Sequence, residues 1–464
     1  MNSGTTVAIH THGCKLNQSD SEVLARQFQE AGFTLIKSSS QADVVVLNSC
    51  TVTANSDSKA RQYLRRTRRA NPNALVMATG CYAQRAADEL SAMEAVSLVL
   101  DNRHKGNLVS TVAAKLNIAI TPVSSHPPEN VPEALPLEMV RSRAMVKIQE
   151  GCDQVCAYCI VPKVRGREKS IPPEEIIAEI NFRAGIGCRE AVLTGTQLGT
   201  YGFDLPDINL QTLIQRVLAD TKIDRLRVSS LQAQEITPEL LELWSDTRLC
   251  PHFHIPLQSG SNSVLHSMRR CYDTAQFAET VQLVRKTIPD AGITTDVIVG
   301  FPGEGVKEFA ESYSFAESIG FSDMHVFPYS IRPGTTAAHL TGQVADGIKK
   351  ERTGEMLELA ETTMRDFRLG SVGQTRSVLW KPGRPAKGAE SAGGWSGLTD
   401  NYLQVRTTDA RDLGNEITNV KLTDLNGDWL TAEVIYQTHQ KILKCRQPNK
   451  KTQNRIDPGF FLSV

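Results

Sequence analysis

Three cysteines lie close together near the middle of the chain, with three residues between Cys152 and Cys156 and two between Cys156 and Cys159. Thiolates at this spacing, here named the loop set, can hold three irons of a 4Fe-4S cube. No fourth cysteine follows in the loop, so one iron would keep an open position, as a three-ligand catalytic zinc ion does. A zinc knuckle is the alternative, but zinc usually takes four ligands from two Cys-x-x-Cys pairs. The spacing therefore predicts a cluster that can bind a further ligand.

Three more cysteines, here named the strand set, each follow a short apolar segment near the N-terminus. They are Cys14, Cys50 and Cys81, and helical stretches lie between them at 19–31 and 57–70. The apolar segments are 7–14, 43–50 and 74–81. Such alternation predicts a parallel sheet, whose strand ends meet at one ligand-binding edge. Ordinary buried cysteines are the alternative, but burial does not explain why each follows its strand. The pattern predicts a second three-thiolate site.

The residues around the strand set carry a family resemblance. They read Gly-Cys-Lys-Leu-Asn-Gln-Ser-Asp-Ser-Glu at 13–22, Asn-Ser-Cys-Thr-Val-Thr at 48–53 and Gly-Cys-Tyr-Ala-Gln at 80–84. Together with the loop set, these motifs resemble the radical S-adenosylmethionine (SAM) methylthiotransferases. The resemblance implies two 4Fe-4S clusters. The loop set would hold the cluster whose open iron binds SAM, and the strand set would hold an auxiliary cluster involved in sulfur insertion.

The resemblance also implies a reaction and its partners. An electron from a flavodoxin- or ferredoxin-like donor would cleave SAM to a 5′-deoxyadenosyl radical. The radical would remove a hydrogen atom from an unactivated C–H position of the substrate. Sulfur would then bond to that carbon, and a second SAM would donate the methyl group. Two subfamilies act on tRNA adenosines beside the anticodon that bear isopentenyl or threonylcarbamoyl groups, and a third acts on a ribosomal-protein aspartate. The motifs look most like the threonylcarbamoyl type. That type implies the tRNA anticodon stem-loop as partner, position 37 as target and 2-methylthio-N6-threonylcarbamoyladenosine as product.

Strands alternate with helices through the central part of the chain. The predicted strands are 144–149, 191–195, 225–230, 252–257, 294–300 and 323–329. Six such units predict a partial (βα)6 barrel with its active site at the carboxyl ends of the strands. Polar and glycine-rich motifs follow the strands, and from them Gly195, Arg227 and Gln258 are candidate SAM contacts. A structural ion pair is the alternative for Arg227.

The last third of the chain has a different pattern. A predicted helix at 344–369 leads to short predicted strands at 374–380, 402–407, 416–422 and 429–435. Their spacing predicts a small β-barrel, which resembles the RNA-binding TRAM domain; a barrel without RNA affinity is the alternative. The chain is thus predicted to be α/β. Its predicted parts are an N-terminal parallel α/β sandwich at 4–118, a proline-rich linker at 119–137, the radical-SAM barrel at 138–369, the TRAM-like barrel at 371–437 and a basic tail at 438–464.

A basic stretch follows the second cysteine of the strand set. Residues 59–69 contain six basic and no acidic residues. The arginines of this stretch are Arg61, Arg65, Arg66, Arg68 and Arg69. Residues four apart share one helix face, so the stretch predicts a phosphate-binding surface for RNA, with a solvated helix face as the alternative.

The composition of the chain limits its possible partners and its cellular location. Lys plus Arg and Asp plus Glu each number 51 among 464 residues, so nucleic-acid affinity must come from local patches. Ten cysteines without a signal peptide predict a cytoplasmic protein with ligand thiols rather than disulfides. No apolar run approaches the roughly 20 residues of a membrane span. Four scattered cysteines are predicted to be ordinary thiols, namely Cys188, Cys250, Cys271 and Cys445. A non-enzymatic RNA-binding iron–sulfur or zinc protein is the alternative function, but it leaves the missing fourth ligands unexplained.

Overall fold

The computed structural model describes residues 4–121, 123–124, 127, 141–382 and 394–436. These residues form three packed units. Most of the predicted linker 119–137 and all of the predicted tail 438–464, with Cys445, lie outside the described residues.

The N-terminal unit is a five-stranded parallel sheet in the order β2-β1-β3-β4-β5. Its elements are β1 (Thr6–His12), α1 (Lys15–Glu30), β2 (Thr34–Leu35), β3 (Val44–Ser49), α2 (Ala54–Ala70), β4 (Leu75–Gly80), α3 (Cys81–Arg85), α4 (Ala87–Ser91), β5 (Leu98–Leu100) and α5 (Leu108–Lys115). Every residue of β3 is buried, as a parallel strand covered on both faces requires. The sequence did not predict β2 and β5, because edge strands of two and three residues are too short to show a period.

The central unit is a half-barrel of six parallel strands, as predicted. Two three-stranded sheets, β10-β9-β6 and β11-β12-β13, are joined by parallel bridges from Leu226 to Leu249 and from Ser230 to His254. The elements are β6 (Arg143–Lys147), β7 (Gln149–Glu150), α6 (Val161–Arg165), β8 (Lys169–Ser170), α7 (Pro173–Gly185), β9 (Glu190–Thr194), α8 (Leu210–Asp220), β10 (Arg225–Val228), α9 (Pro238–Leu241), β11 (His252–His254), α10 (Asn262–Ser267), α11 (Thr274–Thr287), β12 (Gly292–Val299), α12 (Val306–Ile319), β13 (Asp323–Pro328) and α13 (Asp346–Gly370). The carboxyl ends of these strands face the same side as the loop set.

The C-terminal unit is a closed five-stranded barrel in the order β14-β15-β16-β18-β17. Its strands are β14 (Thr375–Trp380), β15 (Gly394–Thr399), β16 (Gln404–Thr408), β17 (Ile417–Asn426) and β18 (Trp429–Val434). The sequence predicted four of them and missed β15, whose two glycines weaken the strand signal. Packing requires Gly397, because a β-carbon there would lie 2.4 Å from Val378 and 2.8 Å from Trp380.

The C-terminal barrel packs against the amino ends of the half-barrel strands through a buried ionic cluster. Glu190 is fully buried and accepts from Arg143 Nε at 2.8 Å and Arg227 Nε at 2.9 Å, with Arg225 Nη1 at 3.8 Å. Arg225 also donates to the barrel at Leu398 O (3.1 Å) and Ser377 Oγ (2.8 Å). One carboxylate therefore compensates three guanidinium groups at the junction of two units.

Replacing that carboxylate should destabilise the junction. Glu190→Gln leaves the buried guanidinium groups of Arg225 and Arg227, and the half-buried one of Arg143, without this countercharge, and we expect a loss of about 3–5 kcal/mol in unfolding free energy. Burial alone would raise the pKa of Glu190, but Arg227, Arg143 and Arg225 hold it far below its usual range. Because this pKa is depressed in the folded state, the contribution is present at neutral pH and disappears as the pH falls through the folded-state pKa. Denaturant unfolding at neutral and acidic pH measures both effects; the exposed Glu174→Gln is the control and should change neither.

Candidate active site between two cysteine sets

The sheet of the N-terminal unit brings the strand set together. Strands β1, β3 and β4 are neighbours, and His12 pairs with Ser49, which in turn pairs with Gly80. Cys50 and Cys81 directly follow paired residues, and Cys50 N donates to His12 O at 2.7 Å, next to the turn that carries Cys14. The three thiols therefore lie at the carboxyl edge of adjacent strands, as the sequence predicted.

Two buried asparagines fix the turns that carry these cysteines. Asn17 Nδ2 donates to Asn48 Oδ1 at 3.0 Å, and Asn48 Nδ2 donates back to Asn17 O at 2.9 Å. A β-carbon at Gly80, where φ is +94°, would lie 2.4 Å from Asn48 Oδ1, and one at Gly13 would lie 2.4 Å from Asn17 Oδ1. The residue before Cys14 and the residue before Cys81 are therefore both glycine, because the asparagine pair occupies the space that a side chain would need.

Donors point at the sulfur atoms of the strand set. Arg165 Nε, from the central unit, lies 3.2 Å from Cys81 Sγ, and Val52 N lies 3.3 Å from Cys50 Sγ. Burial raises the pKa of Cys50 to about 12, and the nearby Cys14 and Cys81 raise it further. Metal ligation requires thiolates. Because burial favours the neutral thiol, these cysteines would ionise only with a positively charged group, such as a metal centre, between them. The N–H donors and this requirement both fit an iron–sulfur cluster.

The loop set lies at the carboxyl end of β6, beyond the short strand β7. Cys152 N donates to Gly166 O at 3.2 Å, and Arg270 Nη1 lies 3.3 Å from Cys156 Sγ. Burial raises the pKa of Cys152 to about 11 and that of Cys159 to about 12. The turn needs Gly151 (φ +78°), since a β-carbon there would lie 1.9 Å from Arg167 O. The loop set thus resembles the strand set: each contains one buried cysteine and a cysteine sulfur contacted by an arginine.

Sulfur spacing bears on the zinc alternative. A tetrahedral zinc ion holds its sulfurs at about 2.3 Å, which places them close to one another. Among the described residues, the three sulfur atoms of neither set all lie within 4.8 Å of one another. Neither set is therefore drawn together around one small ion.

One cavity of about 1660 Å³ joins the two sets. Its walls come from all three units and include Cys14 and Cys50 of the strand set and Cys159 of the loop set. Tyr402 of the C-terminal barrel forms part of the lining, with its ring stacked on His252 at a centroid distance of 4.3 Å. Ligand pockets usually measure about 300–1,000 Å³, so this cavity has room for more than one small molecule.

The predicted SAM contacts divide into two groups. Gly195 and Gln258 line the cavity, and Gln258 adopts φ +67° at the carboxyl end of β11. Arg227 does not line it: the Nε and Nη2 edge of its guanidinium group donates to Glu190, and one face of the group lies over the Tyr402 ring at 5.1 Å. The structure thus shows the ion pair that was the alternative for Arg227.

Sequence reasoning did not single out the polar residues in the middle of the cavity. Asp296 accepts from His325 Nδ1 at 3.1 Å and lies 3.3 Å from His254 Nε2. These three residues are the one group in the described chain whose ligand atoms fall within metal-binding distance of one another. Lys15, next to Cys14, also reaches this space; burial lowers its pKa to about 8, aided by Arg143 and Arg227. The signal that could have found them is a polar residue within an otherwise apolar strand for His254, Asp296 and His325, and the position next to Cys14 for Lys15.

Buried ion pairs fasten the N-terminal unit to the central unit. Asp20 accepts from Lys105 at 2.8 Å within its own unit, and from Lys147 and Arg165 of the central unit at 2.9 Å each. Arg332, after β13, donates to Asp57 Oδ2 at 2.6 Å and to Thr51 O at 3.1 Å, next to Cys50. The positions of the two cysteine sets are therefore fixed relative to each other by side chains.

The predicted arginine surface lies on α2, which begins after Cys50 with Thr53 capping Ser56 N at 3.2 Å. Arg61 is engaged by Tyr82 and Glu89, and Arg68 by backbone carbonyls and Ser97. The exposed arginines of the helix are Arg65, Arg66 and Arg69. These three, rather than all five, present charge to solvent.

Sequence families match most of the chain. Residues 6–101 match the Uncharacterized protein family UPF0004, and residues 146–316 match the Radical SAM superfamily. The chain is similar in fold to the radical SAM methyltransferase TsrM from Kitasatospora setae, with a TM-score of 0.51 and 13% identity over 72% of this chain and 77% of that one. No helix among the described residues combines the length and apolarity of a membrane span.

Named relatives span nearly the whole length. Threonylcarbamoyladenosine tRNA methylthiotransferase MtaB of Bacillus subtilis is 37% identical over 90% of this chain and 93% of that protein. The protein of the same name from Aquifex aeolicus is 36% identical over 88% of this chain and 98% of its own. The tRNA-2-methylthio-N(6)-dimethylallyladenosine synthase of Dictyoglomus thermophilum is 32% identical over 92% of this chain and 98% of that protein.

Proposed function

Because the chain belongs to the radical-SAM methylthiotransferase family, which uses SAM and 4Fe-4S clusters, we propose that its substrate is N6-threonylcarbamoyladenosine at tRNA position 37. The product would be 2-methylthio-N6-threonylcarbamoyladenosine. The observation that carries the proposal is one cavity lined by both cysteine sets. The relatives named for threonylcarbamoyladenosine are 36–37% identical, against 32% for a dimethylallyladenosine synthase. Methylthiolation of dimethylallyl (isopentenyl) adenosine is the second candidate.

We propose that the loop set holds the cluster that binds SAM and that the strand set holds the auxiliary cluster. A reduced 4Fe-4S cluster held by Cys152, Cys156 and Cys159 would supply the electron that splits SAM into methionine and a 5′-deoxyadenosyl radical. The protein fixes the geometry and excludes water, while the cofactors carry the difficult chemistry. Gly195 and Gln258 would lie along the SAM molecule. Arg270 and Arg165 would stabilise thiolate charge at Cys156 and Cys81 through N–H···S contacts of 3.3 and 3.2 Å.

The cavity dimensions support a nucleotide substrate. A volume of about 1660 Å³ exceeds the space that SAM alone would need. Enzymes that modify a base draw the nucleotide out of its stack into such a pocket, and an anticodon loop is already single-stranded. The target adenosine would therefore enter beside SAM, with its C2 atom directed to the strand set. A flavodoxin- or ferredoxin-like protein is the proposed electron donor, because the cluster needs a low-potential electron.

The exposed arginines of α2 and the C-terminal barrel are the proposed RNA-binding surfaces. Changing Arg65, Arg66 and Arg69 together to glutamine should weaken anticodon stem-loop binding and reduce the slope of log affinity against log salt by about two. Radical cleavage of SAM without RNA should persist. Fluorescence anisotropy across a salt titration measures the effect.

A charge-matched control keeps this test specific. Lys222, Lys286 and Lys307 are exposed residues of the central unit that do not line the cavity, and their change to glutamine removes the same total charge. That control should leave the salt slope intact. If the arginine variant and the unchanged protein show equal slopes of log affinity against log salt, the arginines of α2 form an ordinary solvated surface and do not bind RNA.

The substrate proposal is tested by nucleoside mass spectrometry. Transfer RNA from a strain lacking the gene should lose 2-methylthio-N6-threonylcarbamoyladenosine and accumulate its unthiolated precursor, and the restored gene should reverse both changes. Loss of the methylthio-isopentenyl nucleoside instead would establish the second candidate and overturn the first.

A further inference from the structure

Lys15 is a cation held inside the cavity without an anion of its own. It follows Cys14 at the start of α1, and its side chain leaves the N-terminal unit to line the cavity. No acceptor among the described residues lies within hydrogen-bonding distance of its ammonium group. The side chain is half-buried, and a ligand that fills the cavity would displace the water around its ammonium group, which is costly unless the ligand supplies a partner. The site is therefore built for an anion that a ligand brings.

The anions near Lys15 are already engaged. Asp296 is hydrogen-bonded to His325 and lies within ion-pair distance of His254. Glu190 is surrounded by Arg143, Arg225 and Arg227. The charges that act on Lys15 include Arg143 and Arg227 as well as these two carboxylates. A bound carboxylate would meet a net positive environment there.

We propose that Lys15 binds the carboxylate of the threonylcarbamoyl group and thereby selects this nucleoside over one with an apolar N6 substituent. The inference rests on the proposed function and adds the residue that reads the substrate. In adenine, C2 and the carbon that bears N6 both adjoin N1, so one edge of the base carries the reacting atom and the substituent. Lys15 adjoins Cys14 in sequence, and both residues line the same cavity as the sulfur-delivering set. An isopentenyl group in this place would leave the ammonium group without a partner, which disfavours it.

The carboxylate of SAM is the other anion that Lys15 could bind. In the proposed arrangement SAM lies against the loop set, whereas Lys15 follows a cysteine of the strand set. Lys15 should therefore affect the RNA substrate and not SAM. The experiment separates the two by measuring each ligand on its own.

The test uses the reconstituted enzyme and synthetic anticodon stem-loops that differ at one base. The bases are N6-threonylcarbamoyladenosine, its methyl ester and unmodified adenosine. The enzyme variants are Lys15→Met, which keeps the stem and removes the charge, and Lys15→Arg, which keeps the charge. Lys349→Met is the matched control, because that lysine also lines the cavity but is paired with Asp346 at 2.8 Å.

The unchanged enzyme should bind the threonylcarbamoyl stem-loop more tightly than the ester by about 10- to 100-fold, the range for losing a charge-assisted hydrogen bond. Lys15→Met should bind the two equally, while Lys15→Arg and Lys349→Met keep the preference. SAM affinity and 5′-deoxyadenosine formation without RNA should be the same in all four proteins. Equal iron content and equal affinity for the unmodified stem-loop exclude misfolding as the cause.

Two other results overturn the inference in distinguishable ways. If Lys15→Met keeps the preference for the free carboxylate, or loses SAM affinity instead, the assignment of Lys15 is wrong while the proposed function stands. If the unchanged enzyme methylthiolates an isopentenyladenosine stem-loop and leaves the threonylcarbamoyl one unmodified, the proposed function itself fails.

Discussion

Replacing Cys152, Cys156 and Cys159 together with alanine should lower the iron content from about eight to about four per chain after anaerobic reconstitution. Sulfide should fall in parallel, and reductive cleavage of SAM should be abolished. The reason is structural: the loop set lies in a turn of the central unit, held by Gly151 and by the Cys152 N–Gly166 O bond, and the strand set lies in another sheet. Removing one set should leave the other able to bind its cluster.

Two measurements sharpen this prediction. Cys271→Ala removes an exposed cysteine of the same unit that belongs to neither set, and it should keep all the iron and all SAM cleavage. Iron near four in the unchanged protein, with zinc at the strand set, would contradict two clusters. The absorption and electron paramagnetic resonance of the triple variant should show the remaining cluster alone.

Local sequence was sufficient to find both cysteine sets and the architecture around them. A strand followed by cysteine three times in succession predicted convergence, because parallel strands end at one edge, and β1, β3 and β4 are indeed neighbours. The six alternating units predicted the half-barrel, which the parallel registers confirm. The predicted family is confirmed by relatives that cover about nine-tenths of the chain. These features were predictable because each depends on residues close together in sequence.

Partners far apart in sequence were not predictable. Arg165 reaches Cys81 across 84 residues, and Arg332 reaches Asp57 across 275. Neither contact leaves a period or a spacing in the sequence, since both depend on how separate units dock. The same holds for Arg227, whose place in the motif that closes a strand suggested a ligand contact but whose contacts are with Glu190 and Tyr402. Arg61 and Arg68 likewise belong to a basic stretch yet bond to the protein itself.

The docking of the units also changes the meaning of the predicted linker. A proline-rich segment between two domains suggests that they move independently. Asp20 of the N-terminal unit, however, accepts hydrogen bonds from Lys105 of its own unit and from Lys147 and Arg165 of the central unit. Burial alone would raise the pKa of Asp20, and Lys105, Lys147 and Arg165 hold it well below its usual range. Arg165 contacts both Asp20 and Cys81. The strand set therefore rests partly on a residue of the central unit.

Replacing Cys14, Cys50 and Cys81 together with alanine should separate SAM cleavage from sulfur insertion. The variant keeps Asp20, Arg165 and the loop set, so the central unit should still convert reduced SAM to 5′-deoxyadenosine. It should form no methylthio nucleoside on tRNA, because the thiolates that would hold the auxiliary cluster are gone. Cleavage product and nucleosides are measured in the same reaction by mass spectrometry.

The two possible departures from this result have different meanings. Methylthio product from the variant would refute the role of the strand set. Loss of 5′-deoxyadenosine despite about four irons per chain would mean that Arg165, once released from Cys81, alters the loop set through Glu150, which it contacts at 2.5 Å. Cys188→Ala, a cysteine of the half-barrel core outside both sets, is the control and should keep both activities. The expected result, cleavage without product, requires that ion pairs fix the geometry between the units while each cysteine set binds its own cluster.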